Sequence, residues 1–205
     1  MTKIQVFEND LPEDLDLSNE KFIGLDCEAL GLVLGRDPLT LVQLGLESKN
    51  FYLVKLNRET YKAPNLVKTL SNSNTQFIMH YARQDLLWLK YHLKIQPKNI
   101  FCSKVASKIS RTASSFHGYK DLVKELCGKD ISKKEQQSDW GDPNLSEKQI
   151  KYAASDTEHL FEIRKKLINM LEREKRIEVF KMAMDVIPAL VDMEISGYKL
   201  SIFEH

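Results

Sequence analysis

Cysteine is scarce in this chain: three among 205 residues, Cys27, Cys102 and Cys127, an odd count with no Cys-x-x-Cys or Cys/His metal spacing. That argues against a disulfide framework and a cysteine-bound zinc, and it points to a reducing cytoplasm. Long apolar runs are missing too. No stretch approaches the roughly 20 residues of a membrane span, and the opening MTKIQVFENDLPEDL has acidic residues where a signal peptide needs an apolar core. Neither a membrane protein nor a cleaved leader is expected. Charge of one sign is also lacking. The 30 Lys and Arg against 29 Asp and Glu leave a formal +1, too little to grip many phosphates of a long nucleic acid, so a short substrate fits better. Repeats and low-complexity stretches are absent. With 42% hydrophobic residues the chain can bury one substantial core, and residues 1–205 read as a single domain.

What the chain does have is acid in three places. Phe22, Ile23, Gly24 and Leu25 form a short apolar run that ends in Asp26 and Glu28, the pattern of a buried strand. Strand side chains alternate faces, so Asp26 and Glu28 point one way and Cys27 the other. Two ionised carboxylates on one face near a core repel each other, which calls for a cation. In LSEKQIKYAASDTEHLFEIRKKL apolar residues recur at helical spacing with Ser146 as N-cap, and Tyr152 and Asp156, four apart, share one face. Asp85 opens a further apolar helix. Alone it could be there for the helix dipole; beside the other clusters it reads as a ligand.

Oxygen ligands without His or Cys favour magnesium or manganese over zinc. Two such ions about 4 Å apart suit phosphodiester hydrolysis, one activating water and one stabilising the leaving oxygen. Asp26, Glu28, Asp85 and Asp156 are the candidate ligands, and Tyr152 is left to orient or deprotonate the attacking water.

D-x-E after an apolar strand, H-x-A-x-x-D around Asp85 and Y-A-A-x-D on a late helix are together the three motifs of the DEDDy 3′-5′ exonucleases. The chain resembles their ribonuclease D branch over nearly its whole length, QQSDWG at 136–141 included. ALGLVLGRDPLTLVQL, FCSKVASKISRT, FHGYKDLVKELCGKDISKKEQQSDWG and the ending GYKLSIFEH are more closely similar to its short alphaproteobacterial oligoribonucleases, the nanoRNase C group. This resemblance implies a ribonuclease H-like fold and degradation of very short RNAs, dinucleotides especially, from the 3′ end to nucleoside 5′-monophosphates. It also implies a homo-oligomer, an octameric ring. Cys27 stands where the family more often has Thr, and the QQSDWG run is one Ser shorter than in the relatives it resembles; neither touches a ligand position.

Strands are expected at 3–7, 21–27, 39–46, 51–55 and 75–79, followed mostly by helices, giving an α/β architecture with a mixed sheet flanked by helices. The segment Asp130 to Asn144 reads as a loop. The apolar C-terminal helical segment, about 174–205, is expected to pack on the domain or on a neighbouring subunit. Leu30 and Gly31 follow Glu28 and could line the cleft, Leu30 as a wedge between two bases or simply as a packing residue. Gln43 could contact a nucleotide or satisfy backbone groups. The family pattern suggests that His80 contacts the terminal ribose. Lys104, Ser107, Lys108 and Arg111 recur on one helical face, a solvated face or the clamp for a 5′-phosphate, with Lys104 and Arg111 as its charges. Trp140 and Tyr119 could stack on bases or pack in the core. The catalytic motifs do not distinguish sugars or lengths, which leaves a broader exonuclease on longer RNA or single-stranded DNA as the alternative; a non-catalytic RNA-binding scaffold that has kept the fold is the remote one, and the complete ligand set with Tyr152 argues against it.

Overall fold

A computed structural model of the protein describes residues 2–132, 134–198 and 200–203; Lys133, Lys199, Glu204 and His205, which belong to the expected loop and C-terminal segment, lie outside these. Among the described residues six strands form one sheet: β1 (Lys3–Glu8), β2 (Phe22–Ala29), β3 (Leu39–Gly45), β4 (Asn50–Lys55), β5 (Gln76–Met79) and β6 (Ile100–Cys102). Their order is β1-β4-β3-β2-β5-β6. β3 runs antiparallel to both β2 and β4, and the remaining pairs are parallel. This is the mixed sheet that the sequence predicts. All seven residues of β3 are buried, as a central strand requires, whereas edge strand β1 keeps an exposed side.

Among the described residues seven α-helices follow or interrupt the strands: α1 (Pro64–Leu70), α2 (Ala82–Trp88), α3 (Ser103–Ser110), α4 (Tyr119–Cys127), α5 (Glu147–Glu158), α6 (Leu160–Arg173) and α7 (Ile177–Ile195). Alternation along the strands divides the core. Val42, Leu44 and Val54 enter a large cluster with Leu66 of α1, Leu86 of α2, Leu122 of α4, Ile163 and Leu167 of α6 and Phe180 and Val191 of α7. Leu41 and Leu53 instead meet Trp140 and Ala153, with Tyr152 packed alongside. That second, smaller layer lies beneath α5.

Five strands start and end within two residues of the expected limits. β6 was not expected: three residues are too short to display a period of two. The helix expected to run unbroken through residues 145–167 is two helices, parted at His159. Its start is as read, with Ser146 accepting from the Gln149 N–H and Gln149 reaching back to the Ser146 N–H, a capping box. The C-terminal helix α7 packs on the domain through Phe180, Met184, Ile187 and Val191, leaving Val179, Met182 and Val186 exposed. No helix among the described residues is long and apolar enough to cross a membrane.

Candidate active site

The C-terminal half of β2 delivers Asp26 and Glu28 to the floor of a cleft of about 920 Å³. α5 crosses the same face of the sheet and delivers Asp156. One oxygen each from Asp26, Glu28 and Asp156 lies within 4.8 Å of the other two. The close approach of α5 depends on two glycines in register on adjacent strands, Gly24 of β2 and Gly45 of β3. A Cβ on Gly24 would sit 3.1 Å from the Thr157 Cβ and carbonyl oxygen, and one on Gly45 would sit 2.8 Å from the Thr157 Cβ and overlap its Oγ1. Thr157 therefore seats in a dent that only glycine leaves, and Asp156, its neighbour, is held at the depth of the β2 carboxylates.

Asp85 enters from α2. Its carboxylate accepts the Cys27 backbone N–H, so strand β2, which carries two of the acids, also anchors the third. Tyr81, the residue before α2, holds a left-handed backbone (φ 66) that turns the chain sharply from β5 into the helix. Tyr152 lies one turn before Asp156, donates its hydroxyl proton to that carboxylate, and stacks obliquely on Trp140 with ring centroids 6.0 Å apart.

The electrostatics favour bound cations. Burial, then the charges of Asp85, Asp156 and Glu28, push the Asp26 carboxyl well above the usual carboxylate range. Glu28 is pushed up to about 9 by burial and by Asp156 and Asp85. Asp85 is raised mainly by burial, against the pull of its backbone donors. Burial and the neighbouring acids likewise raise the Tyr152 phenol far above its ordinary value. Four carboxyls cannot all ionise in so small a buried volume unless positive charge joins them. The donor set is all oxygen and fits a hard divalent cation.

The structure brings some other expected residues to this cleft and not others. Leu30, Gly31, His80 and Lys104 line it. Leu30 is 41% exposed, and His80 pairs its Nδ1 with Ser103 Oγ at 2.9 Å. Lys104 stands with its ammonium 3.9 Å from the centre of the Tyr81 ring. Trp140 and Tyr119 are also in the wall, both largely covered by protein. Gln43 does not reach the cleft: it is fully buried on β3 beneath α5, opposite Asp26, and its side-chain amide has no hydrogen-bond partner among the described residues. Ser107 is buried too, bonded to His117 Nδ1 at 2.9 Å and to Arg111 at 3.0 Å.

Lys108 faces solvent, and Arg111, past the end of α3, is ion-paired with Glu125 and caps the Phe116 carbonyl at a separate cavity. The basic face expected on α3 thus breaks up, because the helix leads away from the cleft and only its first turn borders it. Tyr81, Gln84, Gln136 and Gln137 line the cleft and were not singled out from sequence. A signal existed for all four, since they lie inside HYARQD and QQSDWG, motifs read for their acids and their resemblance alone.

Comparison with known proteins agrees with this geometry. The 3′-5′ exonuclease family profile matches residues 5–172. Ribonuclease D of Gluconacetobacter diazotrophicus is 33% identical over 162 residues, covering 79% of this chain and 41% of that protein; the chain therefore spans less than half the length of that relative. Two solved structures match along their full length and that of this chain. Brucella melitensis NrnC with bound Mg2+ has 34% identity and a TM-score of 0.93, and NrnC of the same organism bound to pGG has 34% identity and a TM-score of 0.94. With its acids gathered on the sheet that this fold provides, the chain belongs to the metal-dependent 3′-5′ exonuclease family, as a DEDD exonuclease close to NrnC.

Proposed function

We propose that this protein is an oligoribonuclease that hydrolyses very short RNAs, 5′-phosphorylated dinucleotides especially, from the 3′ end to nucleoside 5′-monophosphates. The observation that carries the reading is the shape of the site. The carboxylates lie in a cleft of about 920 Å³ walled by Leu30 to Leu32 on one side and by Ile131 and Gln136 to Trp140 on another. That size is typical of a small-molecule pocket rather than of a groove that tracks a long strand. The pGG-bound structure of NrnC supports the same substrate class.

In this reading Asp26, Glu28, Asp85 and Asp156 hold two Mg2+ or Mn2+ ions. When bound, such ions lower the pKa of water and neutralise charge on the leaving oxygen. The chain's own residues do the rest. Tyr152 orients the water in line with the scissile bond, the water oxygen bonds to phosphorus, and the phosphorus–O3′ bond breaks, with a proton passing to the departing 3′-oxygen. His80 fixes the terminal ribose, Leu30 and Gly31 contact the bases, and Lys104 meets the 5′-phosphate.

The protein is proposed to be a single exonuclease domain, to act in the cytoplasm and to assemble as a homo-oligomer, octameric by family resemblance. Sedimentation velocity tests the assembly. The test of substrate class is a time course with Mg2+ or Mn2+ on 5′-phosphorylated RNAs from dinucleotide upward, followed by a DNA series. Fast cleavage confined to the shortest RNAs is the expected result. Comparable rates on long RNA or on single-stranded DNA would replace it with a general trimming nuclease. Lys104→Ala should erase the preference for a 5′-phosphate whereas Arg111→Ala should keep it, and an unchanged preference in Lys104→Ala rules out that contact.

A further inference from the structure

α5 carries Tyr152 and Asp156, and it stops within three residues of Asp156. In an unbroken helix the His159 N–H would donate to the Ser155 carbonyl, four residues back. Here a hydroxyl from another helix occupies that bond. Tyr119, the first residue of α4, donates its hydroxyl proton to the Ser155 carbonyl at 2.8 Å, and the His159 N–H, turned also toward the Thr157 carbonyl, donates to the same Tyr119 oxygen at 3.3 Å. Insertion of a side chain into the helical ladder is a recognised cause of a break, and α6 starts anew at Leu160. Two further side chains bend this turn: Ser155 Oγ donates to the Tyr152 carbonyl at 2.7 Å and Thr157 Oγ1 to the Ala154 carbonyl at 3.2 Å.

We infer that Tyr119 is a positioning residue for Asp156: its hydroxyl, wedged into the 159-to-155 hydrogen bond, sets the end of α5 and with it the direction of the Asp156 carboxylate toward Asp26 and Glu28. Without the hydroxyl the backbone bond can close, α5 can continue into α6, and Asp156 turns with it. The ring is held independently, its centroid 5.7 Å from that of His80, so a variant lacking only the oxygen keeps the packing. The inference rests on the proposed metal site.

The test is Tyr119→Phe in the full chain, read by direct Mn2+ binding (electron paramagnetic resonance of the free ion), by the metal dependence of dinucleotide hydrolysis, and by circular dichroism and thermal unfolding. Supporting residues around metal ligands typically change metal affinity about 10- to 100-fold. The expected result is a folded variant whose Mn2+ affinity drops about tenfold or more, with hydrolysis partly recovered at high Mn2+. A folded variant with wild-type Mn2+ affinity and metal dependence overturns the inference, and so does a loss confined to thermal stability. In the unaltered protein the His159 amide should exchange slowly with solvent, and fast exchange there also overturns it, whether or not the variant folds. Wild-type protein that binds no Mn2+ removes the metal site itself and the inference with it, a result distinct from equal binding by wild type and variant.

Discussion

Glu28 shows how a single residue can be costly to the fold while serving, in the proposed site, as a metal ligand. Its carboxyl is raised to about 9 by burial and by two neighbouring acids, so without a cation the cluster favours holding protons at neutral pH. Asp26, raised for the same reasons, is the clearest residue to remove. Asp26→Asn keeps the shape and removes a carboxyl that the metal-free fold tolerates only by keeping it protonated or by opposing its neighbours' charge. In chelator, its melting temperature should therefore equal or exceed that of wild type, while hydrolysis with Mg2+ should fall about 100-fold or more, since a lost ligand forfeits several kcal/mol of transition-state stabilisation. A variant that melts earlier and still turns over would disprove both halves. At this scale the acids were legible because strand alternation and helical spacing decide which side chains share a volume. Arg111 and Ser107 lie away from the cleft: spacing gives a helix face but not the direction in which the helix leaves the site. Gln43, opposite Asp26 on the neighbouring strand, is kept out of the cleft by α5, which covers that face.

Between elements, the decisive feature is how closely α5 lies on the sheet. The paired Gly24 and Gly45 create the dent for Thr157, and a methyl group on Gly45 would lie 2.8 Å from the Thr157 Cβ. Gly45→Ala should force α5 outward, costing about 1–3 kcal/mol of stability as overpacking usually does. Because Asp156 rides on that helix, hydrolysis should suffer beyond what the stability loss explains, measured on fully folded protein at saturating Mg2+. Adding Thr157→Ala removes the hydroxyl from the collision and should return part of both losses; a double variant no better than Gly45→Ala would place the strain elsewhere. The strands were readable because Phe22 to Leu25 and Leu39 to Leu46 announce themselves as apolar runs. The break at His159 was not readable. Its cause, the Tyr119 hydroxyl, arrives from a residue 40 positions earlier, and no local pattern in LSEKQIKYAASDTEHLFEIRKKL encodes it.

For the whole molecule, the same carboxyls fix how stability changes with pH. In the unfolded chain Glu28 titrates near its ordinary 4.5, and in the metal-free fold near 9. Between those values the folded state binds more protons than the unfolded state, so stability falls as pH rises. Other groups act in different windows. Asp37, lowered to about 2 by its bonds to Arg36 and to the Val33 N–H, has contributed fully well below neutrality. His92 and His159, lowered by burial, add stability with rising pH only up to their ordinary 6.5. From pH 7 to 8.5 the acid cluster should dominate, and the melting temperature in chelator should decline with a slope that flattens in Glu28→Gln. Saturating Mg2+ should lift wild type across this window, by about 2.7 kcal/mol at a hundredfold excess over its dissociation constant, and more at pH 8.5 than at pH 7, because ligands already free of protons bind the ion without competition. Thermal unfolding at the two pH values, with and without Mg2+, decides the matter: a wild-type curve in chelator that rises toward pH 8.5, or one that Glu28→Gln leaves unchanged, would mean that the cluster is ionised before any cation arrives and that the fold itself supplies the compensating charge.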